Sequence, residues 1–148
     1  MTARRLLALA LGSALMFALM IPMTAAAKDA SRVRVNLVNT GAKPSASGHA
    51  EFRVRKQNRL SFHVEAEDLE PANYDVTVGG VVQGVLDVRV LPKNRVEGEI
   101  EFDTKVEPGH VLLDFDPRGQ LVTVERAGIV YLQVVFPPST PAPGSCTP

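Results

Sequence analysis

Leu60-Ser61-Phe62-His63-Val64-Glu65-Ala66-Glu67 alternates apolar and polar side chains without a break. Neighbouring side chains on a strand point to opposite faces, so this octet has one face for a core and one for water. A helix would scatter the same residues around its axis. The pattern spreads in both directions. Ala50, Phe52 and Val54 alternate with Glu51, Arg53 and Arg55 upstream, and Val33, Val35 and Leu37 with Arg32, Arg34 and Asn36 before that. Downstream come Tyr74-Val76-Val78, Leu86-Val88-Val90 and Val96 to Phe102, then Val111 to Phe115, Leu121 to Val124 and Ile129 to Phe136. Turn formers separate these runs: Gly41, Pro71, Gly79-Gly80, Pro92-Lys93-Asn94, Pro108-Gly109, Pro117-Arg118-Gly119 and Gly128. Many short strands at even spacing predict an all-β fold, a single antiparallel β-sandwich or, alternatively, a partly open barrel. About eight or nine strands are expected.

Parity constrains the hairpins. The apolar positions of 50–54 and 60–66 are all even-numbered, so both sets share a face only across an odd loop. Gln57-Asn58-Arg59 is the loop expected, with Phe52 opposite Val64, Val54 opposite Phe62 and Arg53 opposite His63. Gly79-Gly80 suits a two-residue turn needing positive φ, and Gly84 marks a bulge where the buried parity shifts. Ile129 to Phe136, apolar at nearly every position, is expected to be covered on both faces.

The ends read differently from the middle. Arg4-Arg5, the uncharged run Leu6 to Ile21, Pro22 and the small residues Ala25, Ala26 and Ala27 have the order of a cleaved secretory signal peptide over residues 1–27. A core of 16 residues is shorter than the roughly 20 that span a bilayer. No membrane role is expected after cleavage. Residues 28–136 are expected to form the domain, and 137–148, rich in proline and small residues, a flexible tail containing the lone Cys146. The expected destination is periplasmic or extracellular.

Charge narrows the partners. The chain is formally neutral, and losing Arg4 and Arg5 leaves fourteen basic against sixteen acidic side chains, a net charge of −2. Nucleic acid rewards a basic face, so no nucleic-acid partner is expected. Residues 28–59 hold eight basic and two acidic side chains, and the remainder six and fourteen. Basic strands lying beside acidic ones would cancel this asymmetry.

Chemistry-bearing residues are few. His63, Glu65 and Glu67 share an outward strand face, and a histidine with carboxylates can hold a metal. In Leu113-Asp-Phe-Asp-Pro-Arg-Gly119, Asp114 and Asp116 point the same way if the segment is a strand, a pair fit for calcium or acid–base work. Ordinary turn chemistry accounts for the same residues: Asp116 caps the turn and Arg118 pairs with a carboxylate. No nucleophile elbow, zinc motif or phosphate loop is present, so no catalytic set and no cofactor are expected.

Gly48-His-Ala-Glu-Phe-Arg53, Arg59 through Gly80, Gly84-Val-Leu-Asp-Val88, Gly98-Glu-Ile-Glu-Phe-Asp103 and Leu112 through Gly119 resemble a group of exported bacterial β domains of no assigned activity. Their layout over roughly residues 46–126 is similar to the chordin-type (CHRD) extracellular domain, without its His-x-His stretch: Tyr74-Asp-Val-Thr77 stands near that place. The resemblance implies secretion and a sandwich-like fold, and carries over no functional residue. Gly48-His-Ala-Glu-Phe52 also echoes Gly98-Glu-Ile-Glu-Phe102 fifty residues on.

The function expected is that of a secreted, non-enzymatic structural or binding module, meeting an extracytoplasmic protein or a second copy of itself. The alternative is a domain binding calcium or zinc, or a metal-dependent hydrolase, using Asp114, Asp116 and a histidine; the candidate metal ligands are Asp114, Asp116, His63 and Glu65.

Overall fold

The computed structural model describes residues 31–138. The expected signal peptide with Ala25, Ala26 and Ala27, and the expected tail beyond Pro138 with Cys146, lie outside the described residues. The strands are β1 (Ser31–Asn36), β2 (Val38–Asn39), β3 (Ser47–Val54), β4 (Leu60–Glu67), β5 (Ala72–Val78), β6 (Val81–Leu91), β7 (Arg95–Asp103), β8 (His110–Leu112), β9 (Leu121–Arg126) and β10 (Ile129–Val135). Among the described residues no helix is long and apolar enough to cross a membrane.

Hydrogen bonding runs in the order β1-β3-β4-β7-β6-β5-β9-β10-β2, antiparallel throughout, with the short β8 added parallel to β7. The first and last strands of this path are consecutive in the chain, separated by Leu37 alone. The sheet therefore folds round into a nearly closed barrel. β6 turns the other corner: its Val81–Val88 stretch pairs with β5, and Arg89–Leu91 pairs with β7. The fold is thus all-β, between a two-layer sandwich and an open barrel.

Alternation placed the faces of β3, β4 and β7 correctly, whereas Val90, expected inward with Leu86 and Val88, is exposed where β6 turns the corner. Even-numbered residues of β3, β4 and β7 point inward in rows that grade in size. Gly48, Ala66 and Gly98 form the first row, Ala50, Val64 and Ile100 the second, and Phe52, Phe62 and Phe102 the third. The two echoing segments are therefore β3 and β7, flanking β4 in matched register. Where the rows are widest, Phe62 and Phe102 stack at 6.1 Å, and Phe115 meets both edge-on at 6.0 and 5.1 Å. Phe136 closes on Phe62 from the other layer at 5.7 Å. Phe62, Phe102 and Phe136 are fully buried, so aromatic rings fill the interior.

Three expectations are revised. The β3–β4 turn is odd, as parity requires, but lies one residue earlier: a 3-10 turn at Lys56–Asn58, closed by the Arg55 N–H on the Arg59 carbonyl at 2.7 Å. Its register is shifted by two, so Phe52 faces Phe62, Glu51 faces His63 and His49 faces Glu65. Gln57 and Asn58 hold positive φ, which Asn tolerates better than most residues. β10 is not covered on both sides: Ile129 and Val135 are 51% and 64% exposed, because its outer face looks to solvent and its outer neighbour β2 has two residues. Regular pairing stops at Leu112 rather than at Phe115, after which Phe115 folds onto the core.

The Gly79-Gly80 turn joins Val78 to Val81, with φ of +59° and +80°. The bulge expected near Gly84 is present, one residue before it, at Gln83. A methyl group at Gly84 would come within 2.6 Å of Ile100 Cδ1 and 3.1 Å of Phe102, so the bare backbone is what lets β6 cross over the aromatic cluster.

A charged outer face as the candidate functional site

Inward packing of the even positions turns the odd ones out. The outer face of β1-β3-β4-β7 carries four polar rows. Arg32, Arg53, Ser61 and Asp103 form the first, and Arg34, Glu51, His63 and Glu101 the second. Asn36, His49, Glu65 and Glu99 follow, then Ser47, Glu67 and Glu97. The basic strands β1 and β3 do lie beside the acidic β4 and β7, so much of the charge asymmetry along the chain cancels on this face.

Cancellation is strongest at the first two rows. Arg32 and Arg53 both donate to the Glu51 carboxylate, which is 1% exposed beneath them. Burial pushes the Glu51 pKa up, but these two guanidinium bonds outweigh it and hold the carboxyl below its ordinary value. Asp103 is completely buried: burial again opposes ionisation, and the Arg59 Nε bonds at 2.8 and 2.9 Å with the Lys105 N–H at 2.8 Å overcome it. Arg55 reaches Glu101 at 3.3 Å.

A pH dependence follows with a definite sign. A carboxyl whose pKa is depressed by folding stabilises the folded state above its unfolded value, about 4. That contribution is lost as pH falls through the depressed value. Glu51 and Asp103 both act in this sense, so chemical-denaturation midpoints should fall on acidification below about pH 4.5. The gap between wild type and Glu51→Gln, open at pH 7, should narrow towards pH 3. A gap constant across that range would show that the ion pairs contribute nothing.

Towards the last two rows the cations thin out. Glu65, Glu67, Glu97 and Glu99 gather there with His49 and His63. His49 is buried, 7% exposed, and its ring lies 5.5 Å from that of His63. His49 Nδ1 is 3.5 Å from Glu65 Oε1 and 3.2 Å from an Arg34 nitrogen, and His63 Nε2 is 3.4 Å from Glu99 Oε2. Burial, with Arg34 and His63 nearby, lowers the His49 pKa. Burial and the neighbouring Glu97 raise that of Glu65. An open hollow of about 360 Å³ lies beside them, lined by Arg34, Asn36, His49, Glu65 and Glu67 among others.

Of the residues singled out in sequence, His63 and Glu65 fall within this cluster. Asp114 and Asp116 do not. The chain there is not a strand, and Asp116 is engaged in its own turn: it accepts the Arg118 N–H at 3.0 Å and the Arg118 guanidinium at 2.7 and 2.8 Å. Those bonds hold the Asp116 pKa low. Asp114 is exposed in the same irregular segment. The three histidines His49, His63 and His110 are not at ligand spacing along any one strand, so sequence spacing does not pair His49 with His63; the cross-strand register brings them together.

No protein-family model, no curated protein and no solved structure matches this chain.

Proposed function

We propose that the chain is an exported, non-catalytic binding module, and that the outer face of β1-β3-β4-β7 is its recognition surface. The observation that carries this reading is the filled interior. Small barrels that hold ligands keep a lumen for them, whereas here Phe62, Phe102, Phe115 and Phe136 occupy that space. Recognition then falls to the surface. The four-row face offers charges of both signs held on regular strands and locked by cross-strand ion pairs, so little ordering cost remains when a polar partner docks. The signal-like leader and the layout similarity to extracellular chordin-type domains support an extracytoplasmic setting, and the partner expected there is a polar protein surface.

The test has two parts. Amino-terminal sequencing of the tagged chain recovered from its own cells should begin at Lys28 and locate it outside the cytoplasm. A photo-crosslinking residue at Arg34 or Glu99 should then give a discrete adduct in intact cells, while one at Val135 on the opposite layer should not. A cytoplasmic, unprocessed chain, or adducts that do not distinguish the two layers, would defeat the proposal.

A further inference from the structure

The uncompensated end of this face has donors of more than one kind. His49 on β3, His63 and Glu65 on β4 each offer one ligand atom, and those atoms all lie within 4.8 Å of one another. Two are directly cross-strand, His49 opposite Glu65, and the third is two residues along β4 on the same face. Strand pairing therefore fixes the set: it does not depend on a loop.

His49 Nδ1 faces the Glu65 carboxylate at 3.5 Å. The Arg34 guanidinium lies 3.2 Å from the same atom, and Arg34 is exposed on the sheet's first strand. Around Glu65 the crowding is anionic: Glu65, Glu97 and Glu99 also bring carboxylate oxygens within 4.8 Å of one another. A cation bound here would relieve that crowding, and Glu99, already 3.4 Å from His63 Nε2, stands ready as a fourth ligand or as an orienting partner.

We propose that His49, His63 and Glu65 form a binding site for a divalent transition-metal ion, zinc in the first instance. Two imidazoles and one carboxylate make a borderline-soft donor set, which suits zinc and disfavours calcium and magnesium, whose sites are built from oxygen. By the same chemistry copper(II) would compete. The other histidine group on this sheet, Glu101, Asp103 and His110, is of another character. Both Asp103 oxygens are already held by Arg59, so a metal there would have to displace a buried ion pair. The site stands independently of the recognition-surface reading, since zinc could bind whether or not a partner does.

Zinc titration of the untagged chain by calorimetry, after chelator dialysis and in a Cys146→Ser background, tests the assignment. One equivalent should bind, and the thermal midpoint should rise with zinc but not with calcium. His63→Ala and Glu65→Gln should each weaken binding by more than the roughly 10–100-fold typical of losing an outer-shell partner. His49→Gln provides a variant that keeps the buried volume near that of histidine. His110→Ala should bind zinc like the parent. Absence of binding below millimolar zinc overturns the proposal. So does a titration unchanged in His63→Ala with its circular dichroism intact, or one abolished by His110→Ala.

Discussion

Phe102→Ala should be the most damaging single truncation in the molecule, costing about 3–5 kcal/mol of unfolding free energy. Phe102 is wholly buried and touches the two rings that bind the layers, Phe62 at 6.1 Å and Phe115 at 5.1 Å. Its removal takes away the transfer free energy of a phenyl group. It also leaves a hollow in the widest row, where the strands β4 and β7 hold the backbone apart and collapse is restricted. A second consequence is specific to this barrel. Phe115 arrives from an irregular segment after β8, with Phe62 and Phe102 as its ring contacts, so that segment should loosen as well. Urea unfolding read by tyrosine fluorescence would give the loss, and amide exchange around 113–117 the loosening. A loss below about 1 kcal/mol would mean that the interior yields easily, and a lumen able to admit a ligand would have to be considered again.

Gly48→Ala should destabilise by about 1–3 kcal/mol, although alanine is ordinarily the easier residue to place in a strand. The reason lies in what a methyl group would meet. It would come to 2.4 Å from the backbone oxygen of Glu65, with Leu132 of β10 at 3.1 Å and the Ala66 Cα at 3.2 Å. A carbonyl in a paired strand cannot rotate aside as a side-chain tip can. Strand β3 would have to separate from β4 or from the opposite layer. The same mutation moves the neighbouring His49, so Gly48→Ala should also weaken zinc binding at the proposed site. Equilibrium denaturation settles the first effect. A neutral or stabilising Gly48→Ala would mean that the small-residue end of the barrel is looser than its packing indicates.

The two ends of the barrel explain what could be read from the sequence and what could not. Faces were legible because alternation has period two and admits no ambiguity: Phe52, Phe62 and Phe102 had to share a side. Register was not, because it depends on which residues form the turn. Both three-residue turns of the fold have the same form, Lys56-Gln57-Asn58 and Pro92-Lys93-Asn94, each with two successive positive-φ residues ending in asparagine. Asparagine as the last turn residue was the available signal, and weighting it would have set the β3–β4 loop one residue earlier. That single step matters for the site. With the later loop, His49 falls opposite Glu67; with the observed one it faces Glu65, two residues from His63. Asp114 and Asp116 drew notice because spacing puts them side by side on a strand. The chain leaves the sheet before reaching them, where Leu113 makes the last bond to Asp103.

The break at Leu37 also bears on how the molecule comes to be made. β1 finds β3 within a short stretch of chain, but β2, immediately after it, bonds to Leu132 and Gln133 near the far end of the domain. A ribosome delivers the amino-terminal segment first and β10 last. Until β10 is made, Val38 and Asn39 wait without their partner, as β9 does on one side, while the other pairings can already exist. The seam is consequently among the last pairings to form and a costly one in loop entropy. Val38 and Asn39, with Thr40 bonding the Val130 and Tyr131 carbonyls, make a short clasp, and opening it would leave the rest of the hydrogen-bonded ribbon intact. A barrel fastened this way can part along one line while the remainder stays folded, much as a cuff opens at its button.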